Sequence, residues 1–270
     1  MEKLYVIKIG GNVIDNEVAL QTFLQSFAKI KAPRILIHGG GKIATKIGDQ
    51  LGIESKYIDG RRITGDETID LVTMVYGGLV NKRIVAALQS LNCNAIGLTG
   101  ADANIIPAIK RPVKFSPSAG GIIDYGWVGD LETKNIDTGK LQLFLDNGLT
   151  PVFAPLTHDL HGHILNTNAD TIASSLAVAL SAVYDVRLIY CFEKIGVLED
   201  VADEASVIRL INKKKYEQLK AVDKLFAGIL PKLENAFAAI DAGVKEVLIG
   251  DAKDLAANTT NETIGTLITS

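Results

Sequence analysis

Two spacings of apolar residues alternate along the chain. Leu4–Ile9 is a short aliphatic run, and Glu17–Lys31 follows with Val18, Leu20, Phe23, Leu24, Phe27 and Ile30 at helical intervals. Pro33 ends that helix, and Arg34–Ile37 predicts a second strand. The same alternation predicts helices over Lys42–Leu51, Thr138–Asp146, Ala169–Leu180 and Pro231–Ala242. Strands are predicted over Asn94–Leu98, Thr150–Ala154, Val186–Cys191 and Lys245–Ile249. Asp66–Leu91 reads as a long helical stretch interrupted at Gly77-Gly78, either two helices or one that kinks. Short hydrophobic strands alternating with helices predict βαβ units, hence an α/β fold with a mainly parallel open sheet covered on both faces.

Two segments depart from this rhythm. Ile105–Glu132 carries Pro107, Pro112, Pro117 and Gly120-Gly121 and then alternates, which predicts one or more β-hairpins. His158–Asn166 predicts another, turning at Gly162. Neither belongs to a plain doubly wound sheet, so both are candidate lids over a site. A boundary is expected near Ala182–Tyr184, dividing a lobe 1–183 from a lobe 184–270.

Composition narrows the classes. A chain of 270 residues suits nearly two domains at ~150 residues each, or one large α/β unit. A formal net charge of −3 gives no basic field for nucleic acid. The two cysteines, Cys93 and Cys191, make neither a disulfide framework nor a zinc site and suit a reducing cytosol. The first residues lack a cleavable leader, and the apolar run Ile172–Val183 falls short of the ~20 residues of a membrane span. The expectation is a soluble cytoplasmic protein without nucleic-acid or membrane partners. Glycine is in excess, 25 residues against 7 prolines, which suggests tight turns or backbone brought close to a ligand.

Four glycine-associated features carry candidate chemistry. Lys8 interrupts an apolar strand that ends in Gly10-Gly11. On an edge strand it would be a guard against aggregation, but an interior strand would make an unpaired ammonium costly unless an anion faces it. His38-Gly39-Gly40-Gly41 follows the second strand and precedes a helix, an arrangement that offers N–H groups to a phosphate. A P-loop is excluded, since it needs glycine where Leu36 stands and Ser or Thr where Ile43 stands. Gly39-x-Gly41-x-x-Ala44 with Asp59 fits a dinucleotide fingerprint loosely but leaves Lys8 and its glycines unexplained. Asn166, Asn168 and Asp170 alternate and share one face if the segment is extended; a helix N-cap needs one of them, not three. Gly228 and Pro231 prepare a helix start that places Lys232 where the dipole disfavours a cation, unless a polyphosphate stands before it.

Lys8-x-Gly10-Gly11, His38-Gly39-Gly40-Gly41, Gly60-Arg61-Arg62-Ile63-Thr64, Asn166-x-Asn168-Ala169-Asp170 and Gly228-x-x-x-Lys232, in this order, resemble the amino acid kinase family across nearly the whole chain. The resemblance implies a three-layer αβα sandwich with hairpin lids. It implies transfer of the ATP γ-phosphoryl to the side-chain carboxylate of an N-acylated glutamate, with Mg²⁺ held mainly by the nucleotide phosphates and no protein metal site. It further implies Lys8 and Lys232 as catalytic cations and Asp170 as the residue orienting them. Gly40, Gly41, Arg62 and Asn166 would bind the acylglutamate; Gly10, Gly11, Glu193, Gly196 and Gly228 would bind the nucleotide. The lobe 1–183 would hold the acylglutamate and the dimer contact, and the lobe 184–270 the ATP. Family members often carry Asp-Val-x-Gly where this chain has Glu193-Lys194-Ile195-Gly196. With three residues before Leu4, no N-terminal arginine-sensing helix is expected, and a homodimer is.

Acyl selectivity stays open. If Lys110, Arg111 and Lys114 faced the acyl pocket, N-succinylglutamate would be favoured over N-acetylglutamate; otherwise they are a solvated basic hairpin. A dinucleotide-dependent oxidoreductase and a nucleotide-binding regulator are the readings from other classes. His158, His161 and His163 are crowded, but a polar hairpin tip accounts for them.

Overall fold

The computed structural model describes residues 1–58, 61–116, 120–200, 202–221 and 229–270. Its centre is an eight-stranded sheet in the order Leu210–Ile211, Thr266–Ile268, Glu246–Asp251, Asp185–Phe192, Lys3–Ile9, Arg34–His38, Thr150–Phe153, Ala95–Leu98. Neighbours run parallel, except that Thr266–Ile268 lies antiparallel to Glu246–Asp251. The sheet continues across the expected lobe boundary, since Lys3–Ile9 pairs along its length with Asp185–Phe192.

Lys3–Ile9 is therefore an interior strand, with Tyr190 and Ile37 flanking Lys8. Successive side chains of a strand point to opposite faces. Leu4 and Val6 enter one core layer, together with Ile172, Leu176, Leu233 and Phe237 of the helices Ala169–Leu180 and Leu230–Asp241. Tyr5, Ile7 and Ile9 enter the other, with Phe23, Phe27, Leu71 and Tyr76. By the same alternation Lys8 points toward the layer of Leu4 and Val6, whose helices begin beside it. The three-layer αβα arrangement expected from the sequence is present.

The helix over Glu17 ends at Ala28 rather than Lys31, because the backbone N–H of Lys29 turns back to Ser26 and Phe27. Asp66–Ser90 neither breaks nor splits at Gly77-Gly78. It runs on as an α-helical Asp66–Val72, a π-helical Thr73–Val80 and an α-helical Asn81–Ser90. By length and composition this helix could cross a membrane, yet Leu71, Val75, Val80, Ile84 and Leu88 are packed into the core.

The irregular segments form hairpins as expected. Ala108–Lys110 pairs with Gly129–Leu131, Lys114–Ser116 with Gly121–Ile123, and Leu156–His158 with Ile164–Asn166. Gly162 turns the last of these at φ +95°, backbone that favours glycine. Tyr57–Ile58 with Arg61–Arg62 is a further hairpin, too short to announce itself by alternation. The loops after Ile9, His38 and Phe192 open at the carboxyl ends of parallel strands, where open α/β sheets bind ligands.

Candidate active site

Lys8 reaches the cleft from the sheet and Asp170 from the first turn of Ala169–Leu180. Lys8 Nζ lies 2.8 Å from Asp170 Oδ1, and Lys232 Nζ lies 3.5 Å from Asp170 Oδ2. Lys232 is in the first turn of Leu230–Asp241, with its Nζ 5.5 Å from the centroid of the Phe192 ring. Burial alone would raise the Asp170 carboxyl, but Lys8 and Lys232 beside it hold it below the ordinary carboxylate value. One carboxylate between two ammonium groups leaves a net positive charge at the mouth of the cleft. The interior position of the strand removes the aggregation-guard reading of Lys8.

The alternation of Asn166, Asn168 and Asp170 does not survive as one face. Only Asn166 is in a strand; the chain enters a helix at Ala169, and each residue takes a separate task. Asn168 is the N-cap, its Oδ1 accepting from the N–H groups of Asp170 at 2.8 Å and Thr171 at 3.1 Å. Asn166 Nδ2 donates to Thr64 Oγ1 at 3.0 Å, and its backbone N–H donates to Trp127 O at 2.8 Å. That pairing brings the hairpin segment Gly126–Val128 beside Asn166 and Thr64.

Two glycine loops border the charged cluster. Gly10 and Gly11 lead into the short helix Gly11–Asp15, and Gly40 and Gly41 lead into Gly41–Leu51. The N–H of Gly39 donates to Ile9 O at 3.2 Å, tying the loops together. Gly40 has φ +153°, and a Cβ on it would stand 2.9 Å from the Tyr76 ring, so this position requires glycine twice over. His38 is fully buried, with Nδ1 2.7 Å from Gly39 O and Nε2 3.1 Å from Asn81 Nδ2. Burial pushes its imidazole down to about 4, so it is neutral at pH 7 and no proton acceptor for catalysis.

Arg62 is buried beside the second loop. Its Nη2 donates to Gly41 O at 3.0 Å and Thr45 Oγ1 at 2.9 Å, its Nη1 donates to Ser55 Oγ, and its guanidinium lies over the Tyr57 ring. These contacts engage much of its donor fork.

The nucleotide-side expectations fare differently. Glu193 is exposed just after Asp185–Phe192. Gly196 is buried where a Cβ would come within 2.5 Å of Thr266 Oγ1, so packing against the Thr266–Ile268 strand explains this glycine without an anion. Gly60 and Gly228 lie outside the described residues.

The basic hairpin residues separate. Arg111 is paired with Asp130, Nε to Oδ1 at 3.0 Å and Oδ2 at 3.1 Å, and packs over Tyr125. Lys110 Nζ lies 3.8 Å from the Trp127 ring centroid, and Lys114 is exposed. Among the three histidines of the other hairpin, His163 pairs with Asp159 at 2.7 Å. Among the described residues, no three His, Cys, Asp or Glu side chains converge as a metal site.

Periodicity could not disclose Asn81 and Tyr76, which meet His38 and Gly40 from a remote part of the chain.

A sequence profile described as "Amino acid kinase family" matches residues 3–251. An acetylglutamate kinase of Cytophaga hutchinsonii is 55% identical over 267 residues, covering 98% of each chain. That of Bacteroides thetaiotaomicron is 55% identical over 248 residues, 92% of this chain and 93% of that one. Among solved structures, carbamate kinase from Giardia lamblia bound to AMP-PNP superposes with a TM-score of 0.70 at 14% identity, covering 100% of this chain and 98% of that chain. N-acetylglutamate synthase from Neisseria gonorrhoeae, complexed with coenzyme A and N-acetyl-glutamate, gives a TM-score of 0.80 at 21% identity, covering 100% of this chain and 59% of that chain.

Proposed function

The chain belongs to the amino acid kinase family, and from that premise we propose that it transfers the γ-phosphoryl of ATP to the side-chain carboxylate of N-acetyl-L-glutamate, the second step of arginine biosynthesis. The observation that carries the reading is the Lys8–Asp170–Lys232 cluster at the edge of two glycine loops. A glutamate γ-carboxylate, with a pKa near ~4.3, is ionised at neutral pH and attacks phosphorus without a general base. That suits a cleft whose adjacent histidine is buried and neutral. One carboxylate oxygen forms the new O–P bond while the bond from the γ-phosphorus to the ADP oxygen breaks; no proton changes hands.

Catalysis on this reading is positioning and charge stabilisation. Lys8 and Lys232 neutralise oxygens of the phosphoryl group in flight, and Asp170 holds the two ammonium groups apart and in place. The N–H groups of Gly10 and Gly11 face the nucleotide phosphates, and those of Gly40 and Gly41 face the carboxylate under attack. Arg62 and Asn166 hold the amino-acid end of the acceptor. Asp170 already serves two lysines, so Mg²⁺ would enter with the nucleotide, held mainly by its phosphates, and would supply charge neutralisation there. A cytoplasmic homodimer is the setting we propose.

Arg111 is occupied by Asp130, which argues against that residue as the partner of a second acyl carboxylate. The deciding assay is ATP-dependent ADP release offered N-acetylglutamate, N-succinylglutamate, aspartate and carbamate separately. Turnover with N-acetylglutamate above the others is expected; no turnover with either acylglutamate overturns the reading.

A further inference from the structure

The π-helical turn Thr73–Val80 lies directly under the second glycine loop, and its geometry explains which side chains meet that loop. In an α-helix, residues five apart point about 140° away from each other, since each residue turns ~100°. A π turn closes i→i+5 instead, bringing such residues onto one face. Here the Asn81 N–H bonds the Tyr76 carbonyl, so Tyr76 and Asn81 are linked by that longer step.

Both then grip the loop. Asn81 Nδ2 donates to Val152 O at 2.9 Å and lies 3.1 Å from His38 Nε2. An amide donor on Nε2 leaves the ring proton on Nδ1, which donates to Gly39 O at 2.7 Å. The Tyr76 ring closes the space that a Gly40 side chain would need. Arg62, which lies close enough to Tyr76 to offset part of the rise that burial gives its hydroxyl, takes Gly41 O at 3.0 Å. The carbonyls of Gly39 and Gly41 and the space beside Gly40 are thus each taken by a buried side chain.

We propose that His38, Tyr76 and Asn81 are positioning residues, a clamp on the π turn that fixes where the Gly40 and Gly41 N–H groups stand for the acceptor carboxylate. The clamp deepens the kinase reading and rests on it for the identity of that carboxylate. It touches no substrate and acts through the loop.

The test pairs kinetics with a readout independent of substrate. Asn81→Ala and His38→Leu should each lower kcat roughly 10-fold or more, with KM for ATP changed less than about twofold. His38→Asn, whose amide can still donate to Gly39 O, should recover most of the loss. Amide hydrogen exchange in the segment 38–44 should quicken in Asn81→Ala while exchange in the strand 185–192 stays unchanged. Tyr76→Leu serves as the third variant if either of the first two does not fold, with the same expected result. Folded variants with wild-type kcat and unaltered loop exchange, or a His38→Asn no better than His38→Leu, would overturn the clamp. If wild type lacks acylglutamate turnover, the kinase reading fails, while the exchange result still decides whether the loop is clamped.

Discussion

The two glycine loops share a sequence pattern but differ in support. The loop of Gly10 and Gly11 leads into a five-residue helix, and a Cβ at either position would meet side-chain atoms no nearer than 3.7 Å. The loop of Gly39–Gly41 is backed by a buried imidazole, a tyrosine ring and a guanidinium, and leads into an eleven-residue helix. The difference teaches that glycine in this cleft serves two purposes. In the first loop it keeps backbone accessible; in the second it also permits close packing from below. On the proposed mechanism, the supported loop receives the acceptor and the open one follows the nucleotide.

Mutations can break or sharpen this contrast. The largest effect belongs to the charges that both loops serve: Lys8→Ala or Lys232→Ala should lower kcat by ~10²–10³ through lost stabilisation of the transferred group. Steady-state kinetics with near-normal turnover in either variant would remove that lysine from its role. Gly40→Ala comes next, since it meets both the Tyr76 ring and an unfavourable φ. It should cost about 1–3 kcal/mol of stability by urea unfolding and lower kcat markedly. Gly11→Ala, which meets no close atom, should leave unfolding within ~1 kcal/mol of wild type. Equal losses at the two positions would erase the contrast. Arg62→Ala should act mainly on the acceptor side, raising KM for N-acetylglutamate about 10-fold or more while KM for ATP holds.

The supported loop also carries a pH dependence. The unfolded chain protonates His38 as pH falls through 6.5, whereas the folded chain resists until about 4. Folded-state stability therefore decreases as pH falls across that window, by at most ~3 kcal/mol, and the His38 contribution is absent above it. Unfolding measured at pH 7 and pH 5 should show this decrease in wild type and a smaller one in His38→Asn.

Much of this arrangement was legible from residue order. A lysine inside an apolar strand pointed to an anion because charge in an interior strand needs a partner, and Asp170 supplies one from a helix N-terminus. His38-Gly39-Gly40-Gly41 indicated a strand-to-helix anion loop, which the fold places at a strand end. Hydrophobic period reports which side of an element is buried and not which remote element buries it. The Asn81–His38 and Asn166–Thr64 bonds were therefore invisible, as was the antiparallel Thr266–Ile268 strand that makes Gly196 a packing residue. Gly77-Gly78 suggested a break, but a π turn absorbs the change of phase without one. Asn166, Asn168 and Asp170 misled because alternation has meaning only while the backbone stays extended, and here a helix begins at Ala169.

The central claim is that a carboxylate oxygen of the acceptor attacks the γ-phosphorus of ATP. N-acetylglutamate labelled with oxygen-18 at its γ-carboxylate would be turned over with ATP, and the product cleaved with hydroxylamine at the acyl carbon. The phosphate released should carry one oxygen-18 atom, the former bridging oxygen, alongside an equivalent amount of hydroxamate. Unlabelled phosphate without hydroxamate would mean that the phosphoryl group passes to water, contradicting the account.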